Sequence, residues 1–284
     1  MSGKIWFITG ASRGLGRVWA EAALDRGDRV VATARKVASL ADLVERYGDA
    51  VLTLELDVTD SEQVKTVIAR AHAHFGKLDI VLNNAGYALV GAVEEASDAD
   101  VRAEFETNFF GALHVIQAVL PVLREQGSGH ILGVSSVAGV VAMPLAGFYN
   151  ASKWAFEAIH ESLAQEVAEL GIKVTLIEPG AYATEFASAT SLKLSDGIDA
   201  YANLRKQMFA YAGTVELGDP QATSDAILKI VDTQSPPLRF FVGTEGLPAA
   251  RAAYANRLAV WEQWEDVSNA AQGLSKKREL EFGG

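Results

Sequence analysis

The 284-residue sequence predicts an α/β fold: a doubly wound, mostly parallel sheet of seven strands with helices on both faces, in three layers. Three observations carry that prediction. Short apolar runs alternate with stretches of helical periodicity along most of the chain. Runs such as Ile5-Trp6-Phe7-Ile8 are continuously apolar, as strands covered on both faces require. Several of them end on Gly, Asn, Ser or Pro, small or turn-forming residues that suit a crevice at the carboxyl edge of a parallel sheet.

Composition sets the outer bounds. Hydrophobic residues make up 49% of the chain, enough for a sizeable core. The alternation favours one domain over residues 1–284, with 246–284 as a C-terminal helical extension. Formal net charge is -11 and the 25 basic residues form no dense run, which argues against a nucleic-acid partner. There is no cysteine, so disulfide and thiol chemistry are excluded and a cytoplasmic setting is favoured. The five histidines show no ligand spacing, so no metal site is expected. The first apolar run is too short for a signal peptide. Residues 131–152 carry no charge, nearly the length of a membrane span. Ser135, Ser136, three glycines and Pro144 make that stretch a buried strand and an enclosed loop instead.

Taken in order, Lys4 to Thr9 is the first strand. It breaks on Gly10-Ala11-Ser12-Arg13-Gly14-Leu15-Gly16, and helical pattern follows to about Arg26. Glycines at such a turn let the backbone approach a pyrophosphate, and the helix N-terminus offers free N–H groups. The fold expected is therefore of Rossmann type, with Gly10, Ser12, Arg13, Gly14, Leu15 and Gly16 against a dinucleotide. The second strand, Asp28 to Lys36, carries Arg35 where an acidic residue would meet an unphosphorylated ribose. Arg35 and Arg13 offer two planar forks to a 2′-phosphate, which favours NADP(H) over NAD(H).

Ala50 to Leu56 is the third strand, and Asp57 and Val58 beyond it are candidate adenine contacts. Asp60 or Ser61 caps the next helix. The fourth strand, Leu78 to Leu82, runs into Asn83-Asn84-Ala85-Gly86, of which the last three suit close backbone contact with a ligand. A helix from Asp98 to Arg124 is expected to break near Asn108. Phe105, Phe109, Leu113, Ile116, Leu120 and Leu123 form its apolar stripe. Asn108 lies inside that stripe and needs hydrogen-bond partners if buried.

The fifth strand, Gly129 to Ser136, leads through the neutral loop to Tyr149. Tyr149 and Lys153 sit one turn apart on one helix face. A phenol has a free pKa of about 10, and the neighbouring ammonium is expected to pull it down. Ser136, 13 residues upstream, can return beside the phenol. Gly171 stops the helix. The sixth strand, Ile172 to Ile177, closes on Pro179, Gly180, Tyr182 and Thr184; Thr184 either bonds a carboxamide or caps a helix. Residues 185–217 read as two short helices covering the crevice. A helix from Asp219-Pro220, a last strand Leu238–Val242 and a helix from Pro248 follow, and the tail from Lys276 is expected to fray.

With these motifs in place, residues 4–245 resemble the short-chain dehydrogenase/reductase family. The glycine loop is similar to the family's cofactor loop and Asn83-Asn84-Ala85-Gly86 to its strand-four motif. Asn108, Ser136, Tyr149 and Lys153 match its catalytic tetrad, and Pro179-Gly180 with Thr184 its nicotinamide-holding segment. Residues from 215 onward are loosely similar to 17-beta-hydroxysteroid-dehydrogenase-like members. The resemblance implies an NADP(H)-dependent carbonyl reductase or alcohol dehydrogenase acting on a small apolar ketone, aldehyde or secondary alcohol. It implies Tyr149 as acid/base, Ser136 as a hydrogen-bond donor to the reacting oxygen, and Lys153 on the ribose. Asn108 would hold a water, and the chain would form a homodimer or homotetramer. Tyr87, Leu89, Met143, Phe148, Tyr182 and Phe186 are the candidate substrate contacts. The alternatives are an epimerase or dehydratase that retains its cofactor, and a non-catalytic NADP-sensing protein.

Overall fold

In the computed structural model, which describes residues 3–188 and 191–273, strands and helices alternate as the apolar runs require. β1 (Ile5–Ile8) leads to α1 (Gly14–Asp25), β2 (Arg29–Ala34), α2 (Ala41–Tyr47), β3 (Val51–Glu55), α3 (Ser61–Phe75) and β4 (Ile80–Asn83). β5 (Ala88–Val90) and α4 (Asp98–Phe105) follow, and a π-helical turn, Glu106–Phe110, joins α4 to α5 (Gly111–Gln126). Next come β6 (Gly129–Val134), α6 (Gly147–Glu166), β7 (Ile172–Pro179), β8 (Leu192–Leu194) and α7 (Ala202–Ala212). α8 (Ser224–Asp232), β9 (Arg239–Val242), α9 (Gly246–Gln263) and α10 (Glu265–Ala271) complete the described chain. The expected fraying from Lys276 lies outside the described residues.

Seven strands form one parallel sheet in the order β3-β2-β1-β4-β6-β7-β9. The order reverses at β1 and β4, which opens a crevice beyond their carboxyl ends. Successive residues of β1 point to opposite faces. Trp6 and Ile8 pack with Trp19 of α1 and Ile227 of α8, while Ile5 and Phe7 pack with Val64 of α3 and Val115 of α5. This is the three-layer arrangement expected.

Local signals end the helices as read. The Asp60 side chain accepts from the backbone N–H groups of Glu62 and Gln63, and Gly76 stops α3 in the left-handed conformation. Gly171 does the same after a short turn that follows α6. α9 starts at Gly246, which leaves Pro248 in the first turn, where its missing N–H is no loss. Among the described residues no helix is long and apolar enough to cross a membrane.

Three readings are corrected. The π-helical turn inserts an extra residue, so the buried face of α5 becomes Ala112, Val115, Ile116, Val119 and Leu123. Phe105, Phe109, Leu113 and Leu120 of the expected stripe are only half-buried. The described residues of 185–217 hold one α-helix, α7, rather than two. Short turns and β8 are also described there, and β8 pairs in parallel with β5 through Ala88–Leu192, Leu89–Lys193 and Val90–Leu194. α2 is an element that periodicity does not announce.

Glu178 on β7 is fully buried, and among the described residues neither carboxylate oxygen has a hydrogen-bond partner. Arg239 Nε lies 3.5 Å away but also serves Glu157. Burial raises the Glu178 pKa to about 8, Glu157 adds to the rise, and Arg239 offsets it. A carboxyl raised in the fold keeps a proton that the unfolded chain has lost. Its stabilisation is present below the unfolded value, about 4.3, and is lost as pH rises to about 8. Glu178→Gln should match the unaltered chain near pH 4 and exceed its stability by about 4–5 kcal/mol near pH 8. Urea unfolding at the two pH values measures the difference.

Candidate active site

The turn after β1 is held by the end of β4. Thr9 Oγ1 accepts from the N–H groups of Asn84 (2.9 Å) and Ala85 (3.1 Å) and donates to the Leu82 carbonyl. The Asn84 amide donates back to the carbonyls of Thr9 (2.9 Å) and Gly10 (3.0 Å). Gly10 and Gly14 have φ of +67° and +58°, where glycine is favoured. A Cβ on Gly16 would lie 2.2 Å from Asn84 Nδ2, so that glycine is required by contact. No side chain caps α1, whose first-turn N–H groups face the crevice beside Gly14 and Leu15.

The crevice is a cavity of about 1480 Å³. Arg35, Asp57 and Val58 line one end; Gly10, Ser12, Arg13, Gly14, Leu15, Asn84, Ala85 and Gly86 line the middle. Ser136, Tyr149, Lys153, Pro179, Gly180, Tyr182 and Thr184 line the other end, with Tyr87, Met143 and Phe186 beside them. A drug-sized ligand needs roughly 300–1,000 Å³, so there is room for a dinucleotide and a second molecule. The close approach at Gly10, the uncapped helix terminus and the arginine at one end all fit a nucleotide.

Tyr149 and Lys153 project from the first turns of α6. Tyr149 is within hydrogen-bonding reach of Ser136 and packs its ring 5.9 Å from that of Phe186. Lys153 Nζ donates to the Val134 carbonyl at 2.8 Å and lies 5.8 Å from the centre of the Tyr149 ring. Asn108 sits on the π-helical turn and is almost fully buried. Its Oδ1 accepts from Tyr87 N–H, and its Nδ2 donates to the Tyr87 carbonyl and to Ser152 Oγ. It therefore braces the wall of the cavity from behind rather than lining it. The same turn brings it to the side of Gly86 that Lys153 also approaches, since a Cβ on Gly86 would be 3.0 Å from Asn108 Oδ1 and 3.7 Å from Lys153 Nζ.

The expected lowering of the phenol pKa is not what the protein's own groups produce. Burial raises Tyr149 above its ordinary value; the Ser136 hydrogen bond opposes that rise and Glu104 adds to it. Burial also lowers Lys153 to about 8, against the pull of Glu104 and Glu157. Desolvation of both groups outweighs their proximity.

Leu89, Phe148 and Gly16 lie off the cavity wall, while Arg13, Thr184 and Asp57 line it and also make bonds of their own. Leu89 is almost fully buried in β5, and its N–H is bonded to Glu104, so it does not line the cavity. Phe148 precedes Tyr149 by one helical position, about 100° round α6, and also lies off the lining. Gly16 lies beneath Asn84 rather than in the cavity wall. Arg13 donates to Ser191 Oγ at 2.8 Å, and it and Arg35 both line the cavity. Thr184 caps the turn at Glu185–Ala187 through a bond from Phe186 N–H, and also lines the cavity. Asp57 folds its own loop by accepting from Thr59. Asp60 is the helix cap.

Sequence reasoning missed Glu104 and the lining residues Ser191, Leu192, Lys193, Val215, Leu217, Glu245 and Ala249. An acidic residue one turn before Asn108, beside an apolar stripe, was the available signal for Glu104. The others come from segments without motif. Among the described residues no group of three or more His, Asp or Glu side chains is arranged to hold a metal.

The profile of the short chain dehydrogenase family matches residues 4–195. The oxidoreductase BOA17 of Botryotinia fuckeliana is 41% identical over 271 residues, covering 94% of this chain and 99% of its own. The crystal structure of a short-chain dehydrogenase from Streptomyces avermitilis is 38% identical. It superposes with a TM-score of 0.89 over 95% of this chain and 100% of that one. A short-chain dehydrogenase from Burkholderia cenocepacia, solved in complex with NADP, is 29% identical, with a TM-score of 0.72 over 92% of this chain and 97% of that one.

Gly16→Ala should push Asn84 from its bonds to Thr9 and Gly10. Dinucleotide affinity is expected to fall at least tenfold, about 1.4 kcal/mol, as read by quenching of tryptophan fluorescence, while far-ultraviolet circular dichroism stays unchanged.

Proposed function

The chain belongs to the short-chain dehydrogenase family, and on that premise we propose that it is an NADP(H)-dependent oxidoreductase interconverting an apolar ketone or aldehyde with its alcohol, with Tyr149 as acid and base. The observation that carries this reading is the convergence of Ser136, Tyr149 and Lys153 at one end of a cavity whose middle is the glycine turn.

The nicotinamide, when bound, supplies or accepts the hydride. The glycine turn and the α1 terminus hold the pyrophosphate, and Pro179, Gly180, Tyr182 and Thr184 hold the nicotinamide end. Ser136 Oγ donates to the substrate oxygen and stabilises its developing charge. Tyr149 Oη gives its proton to that oxygen in reduction and takes it back in oxidation. Lys153 Nζ carries positive charge beside the phenol and binds the ribose. Asn108 fixes the backbone of Tyr87 and, with it, the wall facing Lys153. Met143, Phe186, Leu192, Tyr211, Val215 and Leu217 make the substrate end largely apolar, which supports an apolar substrate.

Arg35 is exposed at the far end of the cavity and supports the phosphorylated cofactor. The Arg13 bond to Ser191 ties the glycine turn to the segment that leads into β8. The half-buried Phe109, Leu113 and Leu120 support a homodimer or homotetramer.

Tyr149→Phe should lower kcat for ketone reduction by about 10³-fold while NADPH still binds. Equal turnover by that variant, measured as NADPH oxidation against a panel of ketones and aldehydes, refutes the role. Arg35→Ala should weaken NADPH by about tenfold and leave NADH unchanged. Equal weakening of both cofactors refutes the phosphate contact.

A further inference from the structure

The chemistry above leaves a buried ionisable side chain beside the tetrad unused. Glu104 lies on the last turn of α4, four residues before Asn108, and so on the same helix face. It has no exposed surface. Its Oε1 accepts from the Leu89 N–H at 2.8 Å. Its Oε2 is sealed from solvent and has no hydrogen-bond partner among the described residues. A carboxyl so placed is costly to ionise unless a cation answers it.

The groups that face it can be named from each element. α6 brings Lys153 and Tyr149, and the turn between β4 and β5 brings Tyr87. Asp100, on its own helix, also acts on Tyr87 and is paired with Lys193 of β8. Lys153 is the cation whose field reaches Glu104. From the other side Lys153 is faced by Glu157. That carboxylate already accepts from Ser135 Oγ at 2.6 Å and from Arg239 Nε at 3.3 Å, so it has a cation of its own. Glu104 has no such second partner among the described residues.

We propose that Glu104 is a positioning residue of the acid–base centre: its buried carboxylate is the counter-charge that keeps Lys153 an ammonium. The assignment rests on the reading of Tyr149 and Lys153 as the proton-handling pair. Burial moves the two groups towards each other, Glu104 up to about 7 and Lys153 down to about 8, so they titrate as a coupled pair. The Glu104 anion raises both Lys153 and Tyr149. Burial alone keeps Tyr149 protonated, whereas Lys153 is lowered by burial and depends on the anion to remain charged, so Glu104 completes the form that donates a proton to a carbonyl.

The test is a pH titration of the Lys153 side-chain nitrogen by NMR in the full chain, assigned by the signal missing from Lys153→Met. In the unaltered chain Lys153 should titrate near pH 8, with a second inflection near pH 7 as Glu104 ionises. Glu104→Gln keeps the size and the bond to Leu89 but removes the charge. It should lower the Lys153 midpoint by about one pH unit and abolish the second inflection. Glu104→Asp should return the midpoint towards that of the unaltered chain. A Lys153 midpoint unmoved in Glu104→Gln overturns the proposal, as does an aspartate variant that behaves like the glutamine one. If Glu104→Gln does not fold, a single inflection in the unaltered chain overturns it. The titration needs no substrate, so a chain that reduces no carbonyl refutes the reaction reading without touching this result.

Discussion

The exchange of hydrogen bonds between Thr9 and Asn84 is the constraint on which the site depends. These residues close the ends of β1 and β4, the two strands where the sheet order reverses. One hydroxyl accepts two backbone N–H groups, and one amide donates to two carbonyls of the opposite turn. Neither turn can shift alone. The glycine turn is thus set relative to Ala85 and Gly86, and Gly86 lies against Asn108 and Lys153. The glycine-turn end and the Tyr149–Lys153 end of one cavity therefore share a frame only two strands wide.

Around that frame the electrostatics are set by loss of water more than by proximity. Burial is the largest influence on Tyr149, Lys153, Glu104, Glu157, His160 and Glu178 alike. It drives His160 down to about 4, so that ring is neutral at ordinary pH. The same force that seals the site from solvent makes each charge within it depend on a few named neighbours. Arg239 answers Glu157, Glu161 and part of Glu178 from β9, while the centre at Lys153 relies on carboxylates from α4 and α6.

Much of this was legible in the sequence because its signals are short-range. A strand that stays apolar on both faces, glycines at a strand-to-helix turn, and Tyr149 with Lys153 one turn apart need only a few residues to declare themselves. The break at Asn108 was visible, but its geometry was not. A π-helical turn shifts the register by a residue, and the stripe drawn through Phe109, Leu113 and Leu120 missed the buried face at Ala112, Val115 and Val119. β8 has three residues and two of them are exposed, so no period distinguishes it from a loop. Leu89 and Phe148 were misplaced because apolar character says a residue is covered, not by what. The behaviour of Tyr149 was misjudged because spacing along a helix reveals a neighbour but not the loss of solvent.

The pairing of β5 with β8 divides the cover into two unequal parts. β8 is stitched to β5 by its backbone, Ala88 N–H is bonded to Ser191 and Ser195 N–H to Val90, and Tyr87 just before β5 is gripped by Asn108. α7, in contrast, buries no residue and is pinned near its start by Arg205 to Glu95. The roof is thus a fixed awning along one side and a loosely seated plank along the other. At the plank's far end Tyr211 and Leu217 are exposed and line the chamber, so its apolar mouth is bordered by the part of the roof that is held least.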